Sequence, residues 1–171
     1  MKTLISLQMK KRNPINLDEQ PGHLIRRLHQ ISVGIFMTES ESLDLTPIQF
    51  AALQTVNSNP GIDQKTLAKA IALDTSTTGG VIDRLQSRGM IERRASATDR
   101  RVHLLYLTPD GESKLTQSMP SMLKAQERIL SPLTSSDQKV FMNLLSQLVN
   151  SNNEFSRAPS QTKSNSSPSK T

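Results

Sequence analysis

The stretch from residue 63 to residue 107 restricts the fold more than any other part of the chain. Asp63 can cap a short helix through Ala72 that turns Leu67, Ala70 and Ile71 inward. Asp74 can cap a second helix, from Thr75 to about Arg88, and Gly89 can end it as a left-handed C-terminal residue. Only a tight turn separates the two. Met90–Arg94 and Val102–Leu107 follow, dominated by branched and apolar residues with a polar seven-residue segment between them, which predicts a β-hairpin. Helix, tight turn, helix and hairpin in this order predict a winged helix-turn-helix, in which the second helix enters the major groove of a duplex.

The flanks are helical. Leu24, Leu28, Ile31 and Ile35 recur at the spacing of an amphipathic helix reaching about Ser40. Thr46-Pro47-Ile48-Gln49 carries a capping hydroxyl, a proline at the first helical position and a glutamine able to reach back, so a helix should run from Pro47 to about Asn57. Thr108-Pro109 repeats the signature and opens a long helix carrying Leu115, Met119, Met122 and Leu123, which Pro120 should kink or locally break. A final helix starts near Asp137, with Val140, Leu144, Leu145, Leu148 and Val149 on one side.

The expected class is therefore mainly α with a small β-hairpin wing, in one domain over residues 17–155. Within it, 46–108 form the DNA-binding lobe, while 17–45 and 109–155 supply dimerisation helices. The apolar stripes near both ends lie on helices too few to cover each other, which calls for a partner surface and an interlocked homodimer. Residues 1–16 are expected to be a flexible basic arm, and the serine-rich residues 156–171 a disordered tail.

Charge placement is more informative than the formal total of +6. Residues 84–101 hold six basic and two acidic side chains, whereas residues 31–83 hold two and six, so positive charge is concentrated where the hairpin is expected. Such concentration favours an anionic partner. The lack of cysteine excludes thiol redox sensing and thiolate metal sites, and three histidines without regular spacing make a metal sensor improbable. No apolar run approaches the roughly 18 residues of a spanning helix, and the first residues do not read as a secretory signal, so no membrane partner and a cytoplasmic location are expected.

The second helix of the pair opens with Thr75, Ser76, Thr77 and Thr78 before Gly79-Gly80, expected to place short hydroxyls and bare backbone where base edges and phosphates approach. The alternative is an ordinary solvated helix start. The hairpin tip runs from Arg93 and Arg94 through Ser96 and Asp99 to Arg100 and Arg101, and guanidinium groups on a protruding loop suit phosphates and a narrow minor groove. Asp99 is expected to hold the side chain of Arg100.

These residues carry a resemblance. Leu67–Asp74 leading into Val81–Leu85, then Arg88–Arg93, then Asp99-Arg100-Arg101 with Leu107–Gly111, are similar to the MarR family of winged-helix repressors over roughly residues 20–153. The resemblance implies a homodimer whose first and last helices interlock, a palindromic double-stranded operator, and a small-molecule pocket between the dimerisation region and the DNA-binding lobe. It maps Ser76, Thr77, Thr78 and Arg84 to the DNA-reading helix and Arg94, Asp99, Arg100 and Arg101 to the wing.

Pro21–Gln30 also resembles the first helix of family members that respond to aromatic carboxylates of the benzoate, hydroxybenzoate or cinnamate type. His23, Arg26, Arg27 and Gln30 are three, four or seven positions apart in several pairings, so some share a helix face. A guanidinium can take a carboxylate through two parallel hydrogen bonds, and an imidazole can pair with a phenolic hydroxyl. Apolar walls are expected from Ile31, Met37 and Phe50. Surface or dimer-interface polarity is the competing account of the same residues. His103 is read as structural. The chain shows no phosphate loop, nucleophile elbow or paired carboxylates, so neither catalytic residues nor a cofactor are expected. The remaining alternative is a constitutive DNA-binding or architectural protein without an effector.

Overall fold

A computed structural model of the protein describes residues 16–156 and Pro159. The expected basic arm and serine-rich tail lie outside the described residues, apart from Asn16, Ser156 and Pro159. The helices are α1 (Pro21–Glu39), α2 (Pro47–Ser58), α3 (Gln64–Ala70), α4 (Thr75–Ser87), α5 (Pro109–Leu130) and α6 (Ser135–Ser151). The strands are β1 (Ile62–Asp63), β2 (Ile91–Ala95) and β3 (His103–Leu107).

Helix starts follow local capping chemistry. Thr46 and Gln49 form the reciprocal pair: Gln49 N donates to the Thr46 hydroxyl at 3.3 Å, and Thr46 N donates to the Gln49 side chain at 3.0 Å. Asp63, Asp74, Thr108 and Thr134 each accept from the backbone amide three residues on.

The hairpin is present with Ile91 opposite Leu107 and Ala95 opposite His103. It belongs to a three-stranded antiparallel sheet in the order β1-β3-β2, because Ile62 and Asp63 pair with Leu105 and Leu104. Two residues are too few to show a strand period, so β1 is invisible in the sequence.

Leu107–Gly111 joins the wing to α5. Thr108 N donates to Met90 O at 3.1 Å, and the Thr108 hydroxyl donates to Gly89 O. A Cβ at Gly111 would stand 2.0 Å from the Met90 carbonyl oxygen, so only glycine lets the first turn of α5 sit this close to the strand.

Helix α5 runs unbroken past Pro120, without the local break that is one of the two outcomes expected there. Leu115 and Ser118 before the proline and Ala125 after it are buried, so packing grips the helix on both sides of it, and Pro120 itself is exposed, on the side where water can satisfy the carbonyl that lost its amide.

The core gathers Phe50, Leu53 and Val56 of α2, Leu67 of α3, Val81, Ile82 and Leu85 of α4, Ile91 and Leu105 of the sheet, and Leu115 and Ala125 of α5. At its edge Glu39, the last residue of α1, is clamped by Lys124 at 2.8 Å and Arg128 at 2.7 Å from α5. Arg88 straps the end of α4 to Asp44, donating to its carbonyl at 2.7 Å and pairing with its carboxylate at 3.1 Å. Helix α6 buries no residue. Leu24, Ile25 and Leu28 of α1, Ile129 of α5, and Phe141, Leu145 and Leu148 of α6 instead line an open apolar groove of about 600 Å3. Among the described residues, no helix is long and apolar enough to cross a membrane.

Candidate nucleic-acid interface

Helix α4 presents one apolar and one polar face. Thr78, Val81, Ile82 and Leu85 recur at the i, i+3, i+4, i+7 phase and are buried, while Thr75, Ser76, Thr77, Asp83 and Arg84 are exposed.

This phase corrects the outward placement of Thr78. Its side chain is 0% exposed, and its hydroxyl donates to the Asp74 carbonyl at 2.8 Å. The other hydroxyls are not equivalent. Thr77 donates to Asp74 Oδ2 at 2.6 Å and so turns only acceptor capacity outward, which suits a base amino group and not a phosphate. The side chains of Thr75 and Ser76 make no hydrogen bond among the described residues and can donate or accept. Arg84 lies two turns along from Thr77, and its guanidinium passes 3.8 Å from where a Cβ on Gly80 would be. The Thr77 hydroxyl and the backbone amides of Thr77 and Ser76 also hold the Asp74 carboxyl below its ordinary pKa, so the cap stays ionised.

Arg93 fixes the wing beside this helix. Its guanidinium pairs with Asp83 and Gln86 of α4, which spans the gap between strand and helix with two charge-assisted contacts. Side chains alternate across a strand, so Arg94 points to the opposite sheet face from Arg93. There it pairs with Glu92 and stacks 4.3 Å above the Tyr106 ring. Alternation thus removes Arg94 from the surface that α4 and the wing tip share.

The tip is a hydrogen-bonded loop. Ser96 N donates to Val102 O at 2.9 Å, and the Ser96 hydroxyl accepts from Thr98 N at 3.3 Å and Asp99 N at 3.5 Å, so Ser96 shapes the turn from within. Asp99 holds Arg101, not Arg100. Its carboxylate accepts from Arg101 N at 3.0 Å, Nε at 3.2 Å and Nη2 at 3.2 Å. Within the turn the residue two positions on returns to the carboxylate, while the intervening side chain is turned away. The Arg101 side chain and then its backbone amide keep the Asp99 carboxyl below its ordinary pKa. Arg101 is consequently a pre-oriented guanidinium on an exposed tip, the form suited to a narrow minor groove. Arg100 makes no hydrogen bond or ion pair among the described residues, so its charge faces outward uncompensated.

The six effector candidates do not converge. His23 and Arg27 meet over Asp18, at 3.8 and 3.2 Å. Arg26 and Gln30 pair with each other at 3.4 Å. Met37 is 44% exposed, whereas Phe50 is 5% exposed and packs edge-on against Phe36 with ring centroids 6.1 Å apart. Fourteen residues of helix separate His23 from Met37, about 21 Å along the axis, so one small acid cannot touch both within a protomer. Sequence reasoning missed the brace residues Asp83 and Gln86, the ring of Tyr106 and the carboxylate of Asp18. Each acts on a group far along the chain or in a turn of unforeseen geometry.

Comparison with known proteins agrees with this arrangement. The MarR family matches residues 45–103, which hold the helix pair and the wing as far as the start of β3. The transcriptional regulator HosA of Escherichia coli is 30% identical over 128 residues, 75% of this chain and 93% of HosA. The transcriptional repressor NicR of Pseudomonas putida is 29% identical over 138 residues, 81% of this chain and 87% of NicR. The solved structure of Bordetella bronchiseptica BpsR, whose DNA binding is regulated by 6-hydroxynicotinic acid, superposes with a TM-score of 0.75 at 30% identity, over 80% of this chain and 97% of BpsR. With a helix-turn-helix, an arginine wing and relatives matched over nearly their whole length, the chain belongs to the MarR family of transcriptional regulators.

Proposed function

We propose that two copies of this chain bind a palindromic operator, that Thr75, Ser76, Thr77 and Arg84 of α4 read the major groove while Arg100 and Arg101 hold the flanking backbone and minor groove, and that a small aromatic carboxylate releases the complex. One observation carries the DNA half of this reading: Arg93 ties the exposed hydroxyl face of α4 to the wing, so the reading helix and the cationic tip move as one body. The division of labour follows, with residues 46–108 as the DNA lobe and residues 17–45 and 109–155 as the dimerisation frame. Its place of action is the cytoplasm, where the operator is.

The effector half rests on α1. His23 and Arg27 already gather around a carboxylate, that of Asp18, which supports the chemistry proposed for an aromatic acid. BpsR, similar over most of the chain, responds to such an acid. Because Met37 is about three turns from these groups or more, an apolar wall beside them has to come from elsewhere, and the second protomer's α1 is the source we favour.

Wild-type protein should enrich a palindromic sequence with half-sites about one helical turn apart from a random duplex pool. Fluorescence anisotropy on that duplex should show release by 6-hydroxynicotinate, 4-hydroxybenzoate or cinnamate. Tight binding indifferent to all three would favour a constitutive DNA-binding protein, and failure to enrich any sequence would remove the regulator reading.

A further inference from the structure

The turn of the helix-turn-helix contains a contact that neither caps nor core explain. Gln64, the first residue of α3, donates from Nε2 to the carbonyl of Thr75, the first residue of α4, at 2.9 Å. Among the described residues it is the one side-chain hydrogen bond between these helices. The Thr75 carbonyl already accepts within the helix ladder, and its second lone pair receives the amide. That amide lies over Gly79: a Cβ there would stand 3.0 Å from Gln64 Nε2 and 3.8 Å from Cδ. Glycine is poor in a helix interior, and here its bare Cα provides the seat that lets the amide reach Thr75.

We propose that Gln64 is a positioning residue for sequence reading, its amide seated on Gly79 to set the roll of α4 and thus the aim of Thr75, Ser76 and Thr77. This rests on the reading that α4 meets DNA. The Asp74 cap cannot set the roll, because its contacts with Thr77 are internal to α4 and turn with it. The buried Thr78, Val81, Ile82 and Leu85 hold the opposite face through non-directional packing, which tolerates small rotations. A hydrogen bond from outside the helix to its first turn is directional and does not, and the other directional contacts from outside, those of Arg93 with Asp83 and Gln86, grip the far end of α4 and leave its first turn to Gln64. Base-edge contacts weaken steeply with angle, whereas the wing's charge interactions with phosphates do not, so loss of Gln64 should cost discrimination more than general affinity.

The test uses the full chain, a duplex that wild-type protein enriches from a random pool, and a scrambled duplex of equal length. Affinities for both, salt slopes and melting temperatures are compared for wild type, Gln64→Ala, Gly79→Ala and the double variant. Gln64→Ala should reduce the enriched-to-scrambled affinity ratio about fivefold, the scale of one neutral hydrogen bond, and leave scrambled-duplex affinity and salt slope unchanged. Gly79→Ala should lower the ratio similarly, because the new methyl displaces the amide. The double variant should lose no more than Gln64→Ala alone, since the methyl then meets space the amide has vacated. Wild-type discrimination in Gln64→Ala, additive losses in the double variant, or parallel loss of both affinities with melting temperature would each overturn the proposal. If wild type enriches no sequence, the assignment of α4 falls and this inference with it.

Discussion

The lobe and the frame differ in where their apolar surface goes. In the lobe, α2, α3, α4 and the sheet supply most of the buried core, with Leu53, Leu67, Ile82 and Leu85 fully shielded. In the frame, α6 buries nothing, and Leu144 and Leu148 are 52% and 56% exposed. A contiguous apolar face of this kind on a monomer marks a surface that another chain covers. The lobe's apolar surface is thus covered within the chain, with Phe36, Leu115 and Ala125 of the flanking helices closing its core, whereas the frame leaves one apolar face uncovered. Under the proposed division of labour, the part that reads DNA can stay rigid while the part that sets the spacing between two lobes depends on association.

The largest expected effect breaks that contrast from the frame side. Leu144→Glu with Leu148→Glu would bury unpaired charge in the association face, and sedimentation should show monomers where wild type is dimeric. Operator affinity should fall by about 100-fold or more, since each lobe then binds its half-site alone. A double variant that remains dimeric would place the dimer interface elsewhere. From the lobe side, Leu53→Ala removes a fully buried side chain and should cost about 3 kcal/mol in urea unfolding, with dimerisation per folded protomer unchanged. A loss below about 1 kcal/mol would mean the lobe is less completely packed than the frame contrast requires.

The same contrast explains what could be read from the residues alone. Capping is an i to i+3 relation, so Thr46, Asp63, Asp74, Thr108 and Thr134 announce their helices in order. The core face of α4 is equally legible in the phase of Val81, Ile82 and Leu85, which extended one turn back includes Thr78, although its hydroxyl neighbours suggest an outward place for it. Strand β1, the Gln64–Thr75 bond and the Arg93–Asp83 brace join residues brought together only by the tertiary fold, and no local pattern encodes them. On α1, spacing allows several pairings among His23, Arg26, Arg27 and Gln30 and cannot select the two the fold makes, His23 with Arg27 over Asp18 and Arg26 with Gln30, nor can it show that Phe50 belongs to the core.

Within the lobe, the wing tests pre-orientation against charge. Arg101→Ala should weaken operator binding about tenfold, as for one lost charge-assisted contact. Asp99→Ala adds one net positive charge per protomer, so electrostatics alone predicts tighter binding. If the carboxylate acts by aiming Arg101, the variant should instead bind about threefold more weakly, because the freed side chain pays rotamer entropy on docking. Anisotropy at fixed salt decides the sign, and tighter binding would reduce the tip to a simple cationic patch.

The smallest effect lies at the seam between frame and lobe. Glu39 is 8% exposed at its side chain and is held below its ordinary pKa by hydrogen bonds from Lys124 and then Arg128, with burial opposing them. A group whose folded pKa is depressed contributes stability that is fully present above its unfolded pKa and is lost as pH falls through the folded value. Acid titration of wild type should therefore lose stability below pH 4.5 partly through this clamp. Glu39→Gln keeps the shape, removes the charge and should flatten that part of the acid limb, with a loss at neutral pH well below that of Leu53→Ala. The clamp joins the last turn of α1 to α5, so the variant should also loosen amide exchange at the end of α1 while leaving α4 protected. Equal loosening of α4 would show that the lobe leans on the frame after all, and the two regions would then have to be treated as one cooperative unit.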